Sequence, residues 1–396
     1  MNSIKALIAS ITLAGVVGCG SSSDTEDTSN QVQKRVIGLS ENALCVLNTE
    51  QSVQWEKLKT ENATNLSEYQ LFQNQCDPTD NPNNRGLAYD LSTPLFTDYA
   101  SKYRFIFVPN DTTATYNASE VFDFPIGSVL VKTFSVPLDT SDRGIEKEEL
   151  IETRLMIHRE SGWEALPYIW NADKSDAILT LIGGNTDVEL KHGEEDLEFT
   201  YGVPNSQQCI RCHQFKPEGG SIGKSPIGPK ARYLNSDKDY GTGPINQISK
   251  WVEYGILSGV PSNTAEIESV PVFNDDVDVN SISPSQLDSF ARGWLDINCA
   301  HCHREEGDAS NTNFNAQWQF EGSLATCNKP ISYGGQGLSW IISPGAADES
   351  IMIQRMEAIP DGSGDQMPPL GRELVHSEGT ELVKAWIDAS TKTPCN

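Results

Sequence analysis

Two short stretches of the chain carry residues whose types and spacing can do chemistry: Cys209-Ile-Arg-Cys212-His213 and Cys299-Ala-His-Cys302-His303. In each, two thiols sit three positions apart and an imidazole follows at once. That spacing lets one turn of chain present both sulfurs to the edge of a porphyrin, where thiols add across vinyl groups, and carries the imidazole under the iron. Cys209, Cys212, Cys299 and Cys302 are therefore read as thioether anchors of two covalently bound haems c. His213 and His303 are read as the proximal iron ligands. The competing chemistry is a zinc site made from the four thiols, which suits reducing compartments.

The N-terminus points away from a reducing compartment. Lys5 starts an export signal over residues 1–18 whose apolar run is shorter than the ~20 residues a membrane span requires. It ends in Val16-Val17-Gly18-Cys19, which resembles a bacterial lipobox, in which Cys19 becomes the first mature residue and carries a diacylglycerol. The alternative is an ordinary signal followed by a chance cysteine. Residues 19–34 read as a polar tether rich in Ser, Thr, Asp and Glu. Gly20 is not the Asp that resembles an inner-membrane retention signal, so the expected address is the outer membrane, facing the periplasm or the cell surface.

A six-coordinate haem needs a second axial ligand, and the chain has five methionines. Met367 stands in Gln366-Met-Pro-Pro-Leu-Gly371, a proline-held loop beyond His303, and is the expected distal ligand of the second haem. Met352 and Met356, spaced i, i+4, read as core. No methionine lies between His213 and Cys299. The first haem is left with His158, His192, His376, a methionine brought from elsewhere, or an open position, and is expected at the lower potential. His301 lies between the thiols of its own motif and is not expected to ligate that haem.

Two kinds of element must position these groups. Residues 35–204 alternate apolar and polar side chains, as in Ile151–His158, Trp163–Trp170 and the hairpin around His192-Gly193. This predicts a mainly-β, sandwich- or barrel-like domain. Residues 205–282 form a first haem segment, with glycines and prolines from Gly219 to Pro229 and a short helix over Ile245–Tyr254. In residues 283–396, Ser283 and Pro284 read as the start of a helix. Leu287, Phe290, Ala291, Trp294 and Leu295 make one apolar stripe on it, leading into Cys299. A terminal helix over Gly379–Ile387 completes what reads as a cytochrome c-like domain. The expected architecture is thus β-rich first and mainly α-helical, dihaem, second.

The chain has 396 residues and a formal net charge of −26, which excludes nucleic acid as a partner and suits docking to a basic redox protein. Of nine cysteines, one falls at the lipobox and four in the motifs. Cys45, Cys76, Cys327 and Cys395 remain, enough for two disulfides. Pairing Cys45 with Cys76 and Cys327 with Cys395 keeps each bridge within one domain.

Several longer stretches carry a resemblance. They are Tyr89-Asp-Leu-Ser-Thr-Pro-Leu-Phe-Thr-Asp-Tyr-Ala100, Phe124-Pro-Ile-Gly-Ser-Val-Leu-Val-Lys-Thr-Phe134, Glu152-Thr-Arg-Leu155, Pro167-Tyr-Ile-Trp-Asn171, Leu295–His303 and Met367-Pro-Pro-Leu-Gly-Arg372. Over residues 85–390 the chain resembles exported dihaem c-type cytochrome lipoproteins of Gram-negative bacteria, a group related to the cytochrome-like tails of quinoprotein sugar dehydrogenases. The resemblance implies two covalent haems and single-electron transfer between periplasmic or outer-membrane partners, such as a periplasmic dehydrogenase. It does not imply a substrate. Two other classes stay in view: a dihaem peroxidase with an open first haem, and a β-domain ligand-binding module attached to an electron-transfer cytochrome.

Overall fold

Alternation of side chains builds the centre of the fold. β1 (Gly86–Ala88), β2 (Ser101–Phe107), β4 (Val129–Pro137), β5 (Glu148–Arg159), β6 (Gly162–Trp170) and β7 (Ala177–Leu179) form one antiparallel sheet in the order β1-β2-β4-β5-β6-β7. β3 (Ala114–Thr115) lies outside it and pairs with Leu257–Ser258. A separate hairpin follows, β8 (Gly184–His192) with β9 (Glu195–Val203). The computed structural model describes residues 35–41, 45, 52–331 and 334–396. The expected export signal, the lipobox with Cys19, and the tether lie outside the described residues.

Each face of the sheet is covered by a different part of the chain. Phe105, Phe107, Val131, Leu155 and Tyr168 point to one side, where α1 (Trp55–Thr60) and the turn at Leu66–Tyr69 pack on them through Leu58, Leu66 and Tyr69. Ile106, Leu130, Met156 and Ala165 point to the other. There they share one core with Ala231, Leu234, Ile248, Trp251 and Ile256. Those partners come from α3 (Ala231–Leu234), α4 (Gln247–Glu253) and the chain just beyond, all after the first motif. The strands and the first-motif segment therefore have one hydrophobic core between them.

The second half is not the mainly-α, cytochrome c-like region expected from the sequence. Among the described residues there are only seven short α-helices, 21% of residues are helical in all, and the structure is mostly β with a large antiparallel sheet. The apolar stripes do form helices, α5 (Leu287–Asn298) and α7 (Ser377–Asp388), each of 12 residues. Between them stands only the seven-residue α6 (Ile351–Glu357). The described residues from Cys299 to Ser350 form turns, loops and two single 3-10 turns, Gly335–Gly337 and Ala347–Glu349, and are rich in Gly, Asn and Pro, which break helix. The first-motif segment likewise alternates the eight-residue α2 (Ser206–His213) and the short α3 and α4 with two-stranded pairs. Nor does the β half close into a barrel, since β1 and β7 stand at opposite open edges.

Local boundaries differ for identifiable reasons. α5 starts at Leu287, because the Ser283 hydroxyl donates to Gln286 Oε1 at 2.6 Å and holds residues 283–286 as a turn rather than capping a helix. Disulfides join Cys45 to Cys76 and Cys327 to Cys395.

Candidate functional site

The first motif sits on α2, whose start is a reciprocal cap. Asn205 Oδ1 accepts from the Gln208 backbone N–H at 2.8 Å, and Gln208 Oε1 accepts from the Asn205 N–H at 2.9 Å. The Asn-x-x-Gln spacing was a readable signal for this helix. After His213 the chain forms β9's successor hairpin, β10 (Gln214–Phe215) against β11 (Gly223–Lys224), with Gly219 and Gly220 exposed at its tip. The hairpin returns Ser225 beneath His213, whose Nδ1 lies 2.9 Å from the Ser225 carbonyl oxygen. A carbonyl only accepts, so Nδ1 carries the proton and the Nε2 lone pair is free for a metal.

The second motif follows α5 directly. The His303 N–H donates to the Cys299 carbonyl at 2.9 Å, closing one turn that carries both thiols and the imidazole. Gly307 packs so closely behind it that an added Cβ would lie 2.3 Å from the Cys302 carbonyl oxygen. His303 Nδ1 is 2.8 Å from Thr312 Oγ1, and that hydroxyl donates onward to the Ala309 carbonyl at 2.8 Å. The hydroxyl proton is thus engaged, and His303 must be the donor through Nδ1. Its Nε2 is left as a lone pair, as in the first motif. Burial pushes both imidazoles down to about 4, so both are neutral at neutral pH.

The two motifs meet. The Cys302 thiol donates to the Arg211 carbonyl at 3.2 Å, and the Lys216 N–H donates to the Glu306 carbonyl at 3.0 Å. Ligand atoms of Cys212, His301 and Cys302 lie within 4.8 Å of one another. Cys209 and Cys299 are not members of that group, so the described residues do not form a four-thiol zinc site. A buried ionic cluster fixes the motif-bearing segments against each other. Asp296 on α5 accepts through Oδ2 from Arg232 Nη2 at 2.8 Å and Tyr233 Oη at 2.7 Å, with Lys230 Nζ at 3.6 Å. Its Oδ1 takes the Trp318 N–H at 3.0 Å. Burial works against the carboxylate, but Lys230 and Arg232 overcome it and hold Asp296 at about 2.

Each motif opens on a cavity, of about 140 Å³ at the first and about 210 Å³ at the second. They share a wall that includes Leu95, Lys132, Arg154, Cys212, His213 and Leu370. Met367 lines the second cavity with His303. Its loop is pinned by the buried Arg372, which donates to the carbonyls of Met367 at 3.1 Å, Met356 at 3.1 Å and Ala358 at 2.7 Å. Met352 and Met356 stand on α6 within the α5–α7 core and reach the same cavity.

The charge of these walls is opposite to that of the chain. Arg104, Lys132, Arg154, Arg355 and Arg372 line the two cavities, and no carboxylate does. Three of them form a row across the sheet, Arg104 opposite Lys132 and Lys132 opposite Arg154. Like charges directly opposite are destabilising in a sheet. Arg154 has a partner in Glu152 at 2.8 Å, whereas Lys132 and Arg104 form no ion pair among the described residues. Burial, then the charges of Arg154, Arg104 and Lys102, hold Lys132 well below the usual lysine range. An anion bound beside such a row would relieve its repulsion.

The donor set fits covalently held haems. It supplies two pairs of thiols, two imidazoles with free Nε2 atoms, a thioether lining the same cavity as one of them, and basic side chains suited to propionates. The histidines considered for the first motif are committed elsewhere. His158 bonds the Phe124 carbonyl at 2.8 Å and stacks on Trp163, and it lines neither cavity. His192 bonds Thr140 Oγ1 and Glu378 Oε1, each at 2.9 Å. His376 reaches the second cavity, but its Nδ1 accepts from Trp294 Nε1 at 3.2 Å, and its Nε2 faces Asp275 Oδ1 at 3.3 Å. Compared with protein-family models, curated proteins and solved structures, the chain finds no match in any of the three.

Proposed function

We propose that this chain is an exported dihaem c-type cytochrome that accepts single electrons from one redox partner in the cell envelope and delivers them to another. The observation that carries the reading is convergence. Both Cys-x-x-Cys-His turns face adjoining cavities with a common wall. The stretches that resemble exported dihaem cytochromes supply residues to the common wall, Leu95, Lys132, Arg154, Leu370 and Gly371, and further residues to one cavity each, Pro167 to the first and Met367 and Arg372 to the second.

When bound, the haem irons supply one-electron oxidation and reduction. The protein's own residues set the conditions. Cys209, Cys212, Cys299 and Cys302 hold the groups covalently. His213 and His303 offer Nε2, kept in that tautomer by Ser225 and Thr312. Met367, which lines the second cavity with His303, would supply a thioether to the iron there. Lys132, Arg104 and Arg154 neutralise propionates. The acidic exterior suits a basic partner, such as a soluble redox protein or a periplasmic dehydrogenase. A lipid on Cys19 would keep the protein at the outer membrane.

A second reading has a specific observation behind it. Cys212, His301 and Cys302 place three ligand atoms within 4.8 Å, and His301 Nδ1 is buried without a hydrogen-bond partner. A thiolate–imidazole site for a zinc ion would use those three. One experiment separates the readings. The exported protein, denatured, is analysed by intact mass, pyridine haemochrome absorbance and metal content. Two haems retained after denaturation support the cytochrome. One zinc and no covalent haem would replace it with the metal site.

A further inference from the structure

We propose that Met156 is the distal iron ligand of the haem carried by Cys209, Cys212 and His213. The inference rests on the dihaem reading and gives the first haem the sixth ligand that the sequence between the motifs does not contain.

The argument starts from the register of the sheet. On the face that meets the first motif, Leu87, Ile106, Leu130, Met156 and Ala165 stand opposite one another in a single row across β1, β2, β4, β5 and β6. Four of the five are aliphatic, with no atom that can bind a metal. The fifth presents a thioether, a soft donor suited to haem iron. Met156 lines the first cavity together with Cys209, Cys212 and His213. His213 enters that cavity from α2 and Met156 from the sheet, so imidazole and thioether come from different elements. The next row on the same face is Arg104, Lys132 and Arg154, two residues along each strand, a step of about 7 Å. One sheet face therefore offers a thioether for the iron beside cations for the propionates.

No other ligand competes on equal terms. His158, His192 and His376 are tied as described above. Met367 belongs to the second cavity and does not line the first. Tyr89 lines it too, but burial pushes its phenol up to about 12, away from the phenolate a ligand needs. Lys132 also lines it, and its amine is the one alternative donor on the strands. It stands between two arginines in the row where anions belong.

Two consequences follow. Both haems are His/Met-ligated, so the first is not the low-potential partner expected when it had no methionine. Neither iron keeps an open position for peroxide, which favours electron transfer over peroxidase chemistry.

The test uses the exported holoprotein and the near-infrared charge-transfer band of methionine-ligated ferric haem, together with redox titration and carbon monoxide binding. The unsubstituted protein should show the band intensity of two methionine-ligated haems. Met156→Leu keeps the volume of the row. It should halve the band, lower one potential and open one haem to carbon monoxide, with both haems still attached. Met367→Leu should remove the other half. Met156→His should lose half the band yet keep both haems low-spin. If Met156→Leu leaves the band and both potentials unchanged in a protein with two covalent haems, the inference fails alone. It also fails if the low-spin state of the first haem depends on Lys132. Absence of covalent haem from the unsubstituted protein would instead remove the dihaem reading itself, and this inference with it.

Discussion

Replacing Asp296 by Asn tests whether the buried cluster between the motifs is what holds them together. The carboxylate is 1% exposed and receives two hydrogen bonds from Arg232, one from Tyr233 and one from the Trp318 N–H. An unfolded Asp titrates near ~3.9, and one pH unit is worth ~1.36 kcal/mol. Held at about 2 in the fold, Asp296 contributes roughly 2–3 kcal/mol at neutral pH by linkage. The substitution does more than remove that amount, because Arg232 and Lys230 stay buried with one anion fewer. Breaking a buried pair in this way costs ~3–5 kcal/mol. Denaturant unfolding of Asp296→Asn at pH 7 should show a loss in that range, with haem attachment retained under mild conditions. The sign with pH follows from the depressed value. The contribution is fully present above about 4 and is lost as pH falls through about 2. The unsubstituted protein should therefore lose stability over that window more steeply than the variant. A variant within ~1 kcal/mol of the parent at pH 7, with an equal acid slope, would refute the claim that this cluster carries the fold of the site.

Two further substitutions address the second motif. Thr312→Val removes the acceptor of the His303 Nδ1 proton, making the imidazole a weaker donor to ferric iron; one of the two potentials should rise in a redox titration, and unchanged potentials would show that Thr312 does not tune the ligand. Arg372→Met strips the donor from several buried carbonyls, at a cost of ~1–3 kcal/mol for each left unsatisfied. As a positioning residue for Met367, Arg372 should also weaken the methionine charge-transfer band of one haem, whereas a loss of stability with the band intact would make it merely structural.

What could be read in advance was local. The two Cys-x-x-Cys-His stretches, the strands around Leu155 and Leu166, and the helix before Cys299 are written in contiguous spacing, and the structure places elements at those positions. What could not be read depends on register. Alternation says that Lys102 and Arg104 share a face of β2, and that Arg154 and Met156 share a face of β5. It does not say that Arg104 faces Lys132 and Lys132 faces Arg154. That pairing needs the strand offsets, including an irregularity between Phe134 and Ser135. Met156 was hidden for the same reason, since nothing near it in sequence resembles a ligand loop. The mainly-α second half was misjudged by extending two amphipathic helices to a whole region. The residues between them were rich in Gly, Asn and Pro, a legible sign of turns.

The segregation of charge connects these findings. A chain with 55 acidic and 29 basic residues has little reason to bury cations together unless something anionic is to be met there. Arg104, Lys132 and Arg154 sit on a sheet face where β-propensity favours apolar or β-branched side chains. Each faces a like charge, and among the described residues only Arg154 of the three forms an ion pair, with Glu152. Acids are plentiful elsewhere, so their absence from both cavity walls is not a shortage of supply. A zinc ion on Cys212 and Cys302 would displace two thiol protons, add no net charge and leave the repulsion unrelieved. A dianionic porphyrin edge would relieve it. The row therefore supports the haem reading proposed above, through residues far in sequence from either motif.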